Sequence, residues 1–152
     1  VRGGAAQLLL ALTRPHRPQV ILVMHQLLLA PLEPNGEAAP WVVPNEDLVD
    51  NRDQVLEVLS HYRHVALSLH GHVHANSMTT RHGVVFVSTA ATGEYPMHWR
   101  EVRVRSCEVE LRTHALNMPH LLEKSRGRDT RHNRNPAKLG DALANNLLLR
   151  TC

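Results

Sequence analysis

The sequence predicts an α/β fold, a mixed β-sheet with flanking helices, and three segments in succession carry that prediction. Within residues 19–24, Val20 to Met24 form an unbroken, largely β-branched apolar run, residues 52–62 repeat their apolar positions at helical spacing, and residues 65–69 form a second, mostly apolar run. Apolar strand, helix, apolar strand is the order of a βαβ unit with a parallel pair of strands. Length and composition agree with one such core. In 152 residues, 43% are apolar and 20% charged, enough for a single domain to fold without a metal or disulfide framework.

From the N-terminus, residues 5–13 (Ala-Ala-Gln-Leu-Leu-Leu-Ala-Leu-Thr) read as a short helix that stops where Pro15 restrains Arg14. The strand over 19–24 follows, its continuous hydrophobicity suited to burial on both faces, and His25 stands at its carboxyl end. Residues 30–47 hold Pro31, Pro34, Pro40, Pro44 and Asn35-Gly36, which predicts a long surface loop. Asn51 then caps a helix in which Val55, Leu56 and Leu59 share one face.

The strand over 65–69 leads into His70-Gly71-His72-Val73-His74, and a turn at Arg81-His82-Gly83 leads into a third strand over 84–88. Alternation over 101–105 and 107–113, with a break near Ser106, predicts a hairpin. Residues 123–135 are rich in Lys and Arg. Leu139, Leu143 and Leu147 then mark a final amphipathic helix. The division expected is 1–116 as the main domain and 117–152 as a basic tail with a C-terminal helix.

Function is sought first among the histidines, because twelve of them stand beside only 3% aromatic residues, and the net charge is a mild +3. This balance is poor in stacking groups for single-stranded nucleic acid and rich in metal ligands. In open α/β sheets ligands gather beyond the carboxyl ends of strands, where side chains leave the packed layer. His25 and the 70–74 cluster occupy that position. If 72–74 are extended, His72 and His74 point to one side, and Gly71 lets the backbone come close to an ion or phosphate. His70 shares the parity of His72, as a peripheral ligand, a residue that orients one, or a mere neighbour.

The strand ending in His25, the Gly71-His72-Val73-His74 motif, and the stretches Gly83-Val84-Val85-Phe86-Val87-Ser88-Thr89 and Glu94-Tyr95-Pro96 together resemble the calcineurin-like metallophosphoesterases. The resemblance covers residues 19–105 and concerns the C-terminal half of that family's four-layer α-β-β-α sandwich. It implies a metal-dependent phosphoester hydrolase, a phosphodiesterase or phosphomonoesterase, with two divalent ions (Mn, Fe or Zn). Residues matching His25 and His72 would bind one ion and that matching His74 the other. In the family the ions, about 3.5–4 Å apart, activate water for attack on phosphorus. The family's Asp-x-His and Asn-His motifs do not occur in this sequence. The chain is therefore expected to encode part of a site and to hold at most one weakly bound ion alone.

The sequence does not open with Met, and the expectation is that residue 1 is not the natural start. The opposing functional reading is a non-catalytic, basic, His-rich module that binds an acidic partner or nucleic acid through 123–135. Pairing of an exposed sheet edge would give a homodimer. No apolar stretch approaches the ~20 residues needed to span a bilayer, and a reducing, cytoplasmic setting is the default for two isolated cysteines. Cys107 is expected to be a small core residue. Asn76 and Arg100 read either as phosphate contacts or as a solvated turn and a strand-edge charge. Trp41 and Trp99 either line a substrate mouth or pack their own connections.

Overall fold

The computed structural model describes residues 19–33, 35–126, 138–140 and 142–151. The helix expected over 5–13 and the basic segment beyond Arg126 lie outside the described residues. Within them the fold is mixed α/β, with two sheets and a few short helices.

The first sheet contains β1 (Val20–Val23), β2 (Val65–His70), β3 (Ser77–Arg81) and β4 (Val84–Ser88), in the order β1-β2-β4-β3. β1 and β2 are parallel, as are β2 and β4, while β3 returns antiparallel beside β4. The helix joining β1 to β2 is α2 (Arg52–Ser60); a one-turn helix, α1 (Pro44–Asp47), precedes it. The expected βαβ unit is therefore present. β3 was not foreseen from the sequence. It is joined to β4 through His82 and Gly83, both left-handed at φ 53° and 78°, the geometry that makes a two-residue hairpin loop follow the twist of its strands.

A register shift decides which side chains face which layer. Val20 pairs with Val65, but Ile21 pairs with Leu67, so Ala66 is an extra residue and the alternation of β2 inverts there. Val65 therefore packs with Leu28, Leu56, Leu59, Val84 and Phe86 beneath α2, whereas Leu67 packs with Val85 and Val87 on the opposite face. Each of these fully buried aliphatic side chains contributes about 1.5–3 kcal/mol.

That opposite face is covered by the second sheet, β5 (His98–Val104), β6 (Glu108–Ala115) and β7 (Asn146–Arg150), antiparallel throughout in the order β5-β6-β7. Val102, Val109, Leu111, Leu147 and Leu149 supply its inner face. The layers run helix, sheet, sheet. On the outer face Arg103 pairs with Glu101 at 2.9 Å, Arg105 with Glu108 at 3.5 Å, and Arg112 pairs with Glu110. The hairpin expected around Ser106 is β5–β6.

Three expectations are corrected. Leu147 does not continue a helix: α4 (Ala142–Asn145) ends before it, and Leu147 and Leu149 alternate inward on β7, which supplies the hydrogen-bonding partner that β6 requires on that side. Cys107 is not a small core residue. It is exposed and disulfide-bonded, and the Thr151 amide donates to its carbonyl at 2.9 Å; the only other cysteine in the sequence, Cys152, follows Thr151 directly. The proline-rich stretch over 30–47 is not wholly a surface loop, because Ala39, Val42 and Asp47 are buried within it. A further short helix, α3 (Pro119–Arg126), follows β6 and buries none of its residues. Among the described residues no helix is long and apolar enough to cross a membrane.

Candidate functional site at the ends of two parallel strands

Because β1 and β2 are parallel neighbours, their carboxyl ends emerge side by side, and the Gly71 amide donates to the His25 carbonyl at 3.1 Å. The imidazoles beyond those ends meet. His25 Nε2 lies 3.1 Å from His72 Nδ1, with ring centroids 4.9 Å apart in an edge-on arrangement.

Partners on the far side fix the tautomers. His72 Nε2 lies 3.1 Å from the Glu46 carbonyl and 3.4 Å from Asp47 Oδ1. A carbonyl only accepts, so Nε2 carries the hydrogen and Nδ1 of a neutral ring presents its lone pair toward His25. Asp47 is buried and held in turn by the Val43 amide, which donates to Oδ2 at 2.8 Å. This carboxylate was not singled out from the sequence. Its signal was Pro44 followed by Glu46 and Asp47, a proline-started helical turn with acids at its amino end.

The 71–74 segment is not extended, as the sequence reading supposed. β2 ends at His70, and both His72 (φ 67°) and His74 (φ 52°) are left-handed, a conformation that costs roughly 1–3 kcal/mol at a non-glycine residue and persists only when its surroundings enforce it. Enforcement comes from Val73. Its side chain is buried with Leu27, Ala39, Val42, Leu48 and Ala75, so the loop is pinned between two outward-facing histidines. A Cβ on Gly71 would meet only His25 Nδ1, at an ordinary 3.7 Å.

His74 does not join the His25–His72 hydrogen bond. Its Nδ1 lies 2.8 Å from Glu94 Oε1, which also receives the Lys138 ammonium at 2.9 Å. Burial pushes the Glu94 carboxyl up, but hydrogen bonds and charge from Lys138 and His74 outweigh it and leave the group below its ordinary value. An ionised carboxylate only accepts, so Nδ1 of His74 carries the hydrogen of this contact.

His70 faces inward instead. Its two ring nitrogens lie 2.8 Å from the Ser68 hydroxyl and 2.8 Å from the Gln26 carbonyl, its ring stacks on Phe86, and burial lowers its pKa. It is no ligand; it ties β2 to the residue after His25.

Asn76 is neither on a solvated turn nor near one. It is 2% exposed and bonded to four different residues through its side chain, among them His98 and Arg100. Arg100 lies on β5, an edge strand of its sheet among the described residues, but its parity is that of Val102 and it points between the sheets rather than out to solvent. Both tryptophans pack locally: Trp41 against the Val73 cluster, Trp99 stacked on His114 at 4.5 Å.

Fit to a metal ion was tested on the observed geometry. Two imidazole nitrogens bound to one ion at about 2.0–2.1 Å, subtending about 90–110°, lie about 2.8–3.4 Å apart. The 3.1 Å between His25 Nε2 and His72 Nδ1 falls inside that range. Among the described residues no group of three or more His, Cys, Asp or Glu side chains is arranged to hold an ion. The pair alone offers two nitrogens, fewer than the four ligands of a structural zinc site or the three protein ligands of a catalytic one. Comparison with protein-family models and with curated proteins finds none that this chain matches.

Proposed function

We propose that the chain contributes part of a two-metal phosphoester hydrolase site, with His25 and His72 as ligands of one ion and His74 as a ligand of the other. The observation that carries this reading is the 3.1 Å contact between His25 Nε2 and His72 Nδ1 beyond two parallel strand ends. Further support comes from the orienting partners. His72 is held from behind by Glu46 and Asp47, and His74 by Glu94, the arrangement in which a ligating imidazole donates its other N–H to a carbonyl or carboxylate.

Divalent Mn, Fe or Zn bound there would supply a Lewis acid for the phosphoryl oxygens and lower the pKa of a water. The chain's own residues do the positioning. Asp47 and the Glu46 carbonyl engage the Nε2 side of His72 and so turn Nδ1 toward His25, and His70 anchors the Gln26 carbonyl and so the backbone beside His25. Val73 holds the loop so that both motif histidines face out. Substrate, and any pairing through a sheet edge, belong to the same proposal.

The test joins the chain to an upstream segment that contains Asp-x-His and Asn-His. Mn-dependent hydrolysis of an aryl phosphate should appear and vanish in His72→Ala. Undiminished activity in His72→Ala would overturn the assignment.

A further inference from the structure

Residues 138–140, which the sequence assigns to a basic tail, lie against the back of the histidine motif. The Asn76 amide donates to the Lys138 carbonyl at 3.0 Å, and the Leu139 carbonyl accepts Asn76 Nδ2 at 3.2 Å and Asn145 Nδ2 at 3.1 Å. Gly140 is left-handed at φ 67°, and a Cβ there would lie 2.7 Å from the Asn76 carbonyl oxygen, so the approach of this segment to Asn76 requires glycine. The backbone of Lys138 is therefore fixed beside Asn76, two residues beyond His74.

Its side chain is only 5% exposed, and an ammonium taken out of water normally meets a carboxylate. Lys138 Nζ donates to Glu94 Oε1 at 2.9 Å, and the same oxygen accepts from His74 Nδ1 at 2.8 Å. The backbone around Glu94 is held as well. The Met97 amide donates to the Glu94 carbonyl at 2.6 Å, and the amide of buried Tyr95 donates to Ser125 Oγ of α3 at 2.8 Å.

Exposure decides which of the three side chains is the anchor. Those of His74 and Glu94 are 47% and 40% exposed, and an ion pair between two such groups carries little free energy and gives way to water. The buried ammonium is different. It holds Glu94 Oε1 in one place, and the imidazole then finds its acceptor in one place.

We propose that Lys138 is a positioning residue for His74: its ammonium fixes Glu94 Oε1, and Glu94 in turn fixes the ring so that Nε2 is the nitrogen left for an ion. This inference rests on the reading of His74 as a ligand and adds to it a residue that acts only through Glu94. A lysine that merely held its own segment in place would leave the ring of His74 free.

The experiment records the ring-nitrogen resonances of the histidines in the full chain with a chelator present, at mildly alkaline pH, where a free imidazole is neutral. In the unchanged chain His74 should carry its hydrogen on Nδ1. In Lys138→Met this preference should fall about tenfold, while the rings of His25 and His72 keep their resonances. If that variant does not fold, Lys138→Gln, which keeps a polar end but reaches less far, should show the same loss. Hydrogen absent from His74 Nδ1 in the unchanged chain, an undiminished preference in the folded variant, or an equal change at all three histidines overturns the proposal. No ion is needed for any of these outcomes, so failure here leaves the metal-site reading standing. If His74 binds no ion while the effect of Lys138 is present, that reading has failed and the positioning of the imidazole has not.

Discussion

Histidine and carboxylate meet in two regions of this molecule, and the two encounters differ in kind. On the outer face of the second sheet, His114 Nε2 lies 3.5 Å from Glu101 Oε2, and Glu101 is shared with Arg103 on a surface open to water. At the strand ends, His72 meets a buried Asp47 whose other oxygen is occupied by a backbone amide, and a carbonyl shares the same ring nitrogen. The outer contacts can rearrange and are screened, so their geometry carries little free energy. Those at the strand ends fix a tautomer and the direction of a lone pair. The two histidines differ less in their partners' type than in the rigidity of what stands behind each.

The comparison can be broken at several points, and the largest effect belongs to the second sheet. Reducing the disulfide at Cys107 should lower unfolding stability by about 2–4 kcal/mol, read as a denaturant midpoint that shifts with reductant. Cys107→Ser should show the lower midpoint with no further response to reductant. Val73→Ala removes the anchor between the two left-handed histidines and should cost about 1–3 kcal/mol, with a loss of divalent-ion affinity that a core substitution under α2, such as Val58→Ala, does not share. Asp47→Asn should weaken ion binding about 10- to 100-fold in a calorimetric titration, with a smaller change in stability.

Acid should act through His98, whose pKa is lowered by burial and by the nearby Arg100 charge. It is neutral in the fold and protonates more readily once unfolded. Its contribution is therefore complete above its ordinary value of about 6.5 and is lost as pH falls through the lower value it has in the fold. His98→Gln should flatten the fall in stability between neutral and mildly acidic pH. The smallest effect is expected on the outer face: Arg112→Gln should change stability by no more than about 0.5 kcal/mol and leave ion binding untouched.

The regular part of the fold was legible from the sequence. The run from Val20 to Val23 forms a strand as expected, although among the described residues β1 is the edge of its sheet, half-buried with Val23 exposed rather than buried on both faces; Val55, Leu56 and Leu59 repeat as a helix does, so the parallel pair and its crossover follow. The placement of His25 and His72 was legible for the same reason: each follows the carboxyl end of a strand by two residues. What stayed hidden depends on tertiary packing. Local alternation made 71–74 look extended, but burial of Val73 in a cluster assembled from Leu27, Val42 and Leu48 overrides it. Asp47 was hidden in a proline-rich stretch whose composition signals only a turn. Leu139, Leu143 and Leu147 have helical spacing, yet Leu147 and Leu149 also alternate, and the open side of β6 decides for a strand. Arg100 was read as a phosphate contact or a strand-edge charge; its parity with Val102 was legible, but that this face of β5 is covered by the first sheet depends on tertiary packing.

The central claim is that the imidazoles of His25 and His72 converge on one ion. Titration of the chain with Zn or Mn, followed through the ring resonances of its histidines, tests it most directly. The account predicts that His25 and His72 respond together at one stoichiometry, that His72→Ala abolishes the response of His25, and that His114→Ala leaves both unchanged. Responses of His25 that persist at the same ion concentration in His72→Ala would contradict it.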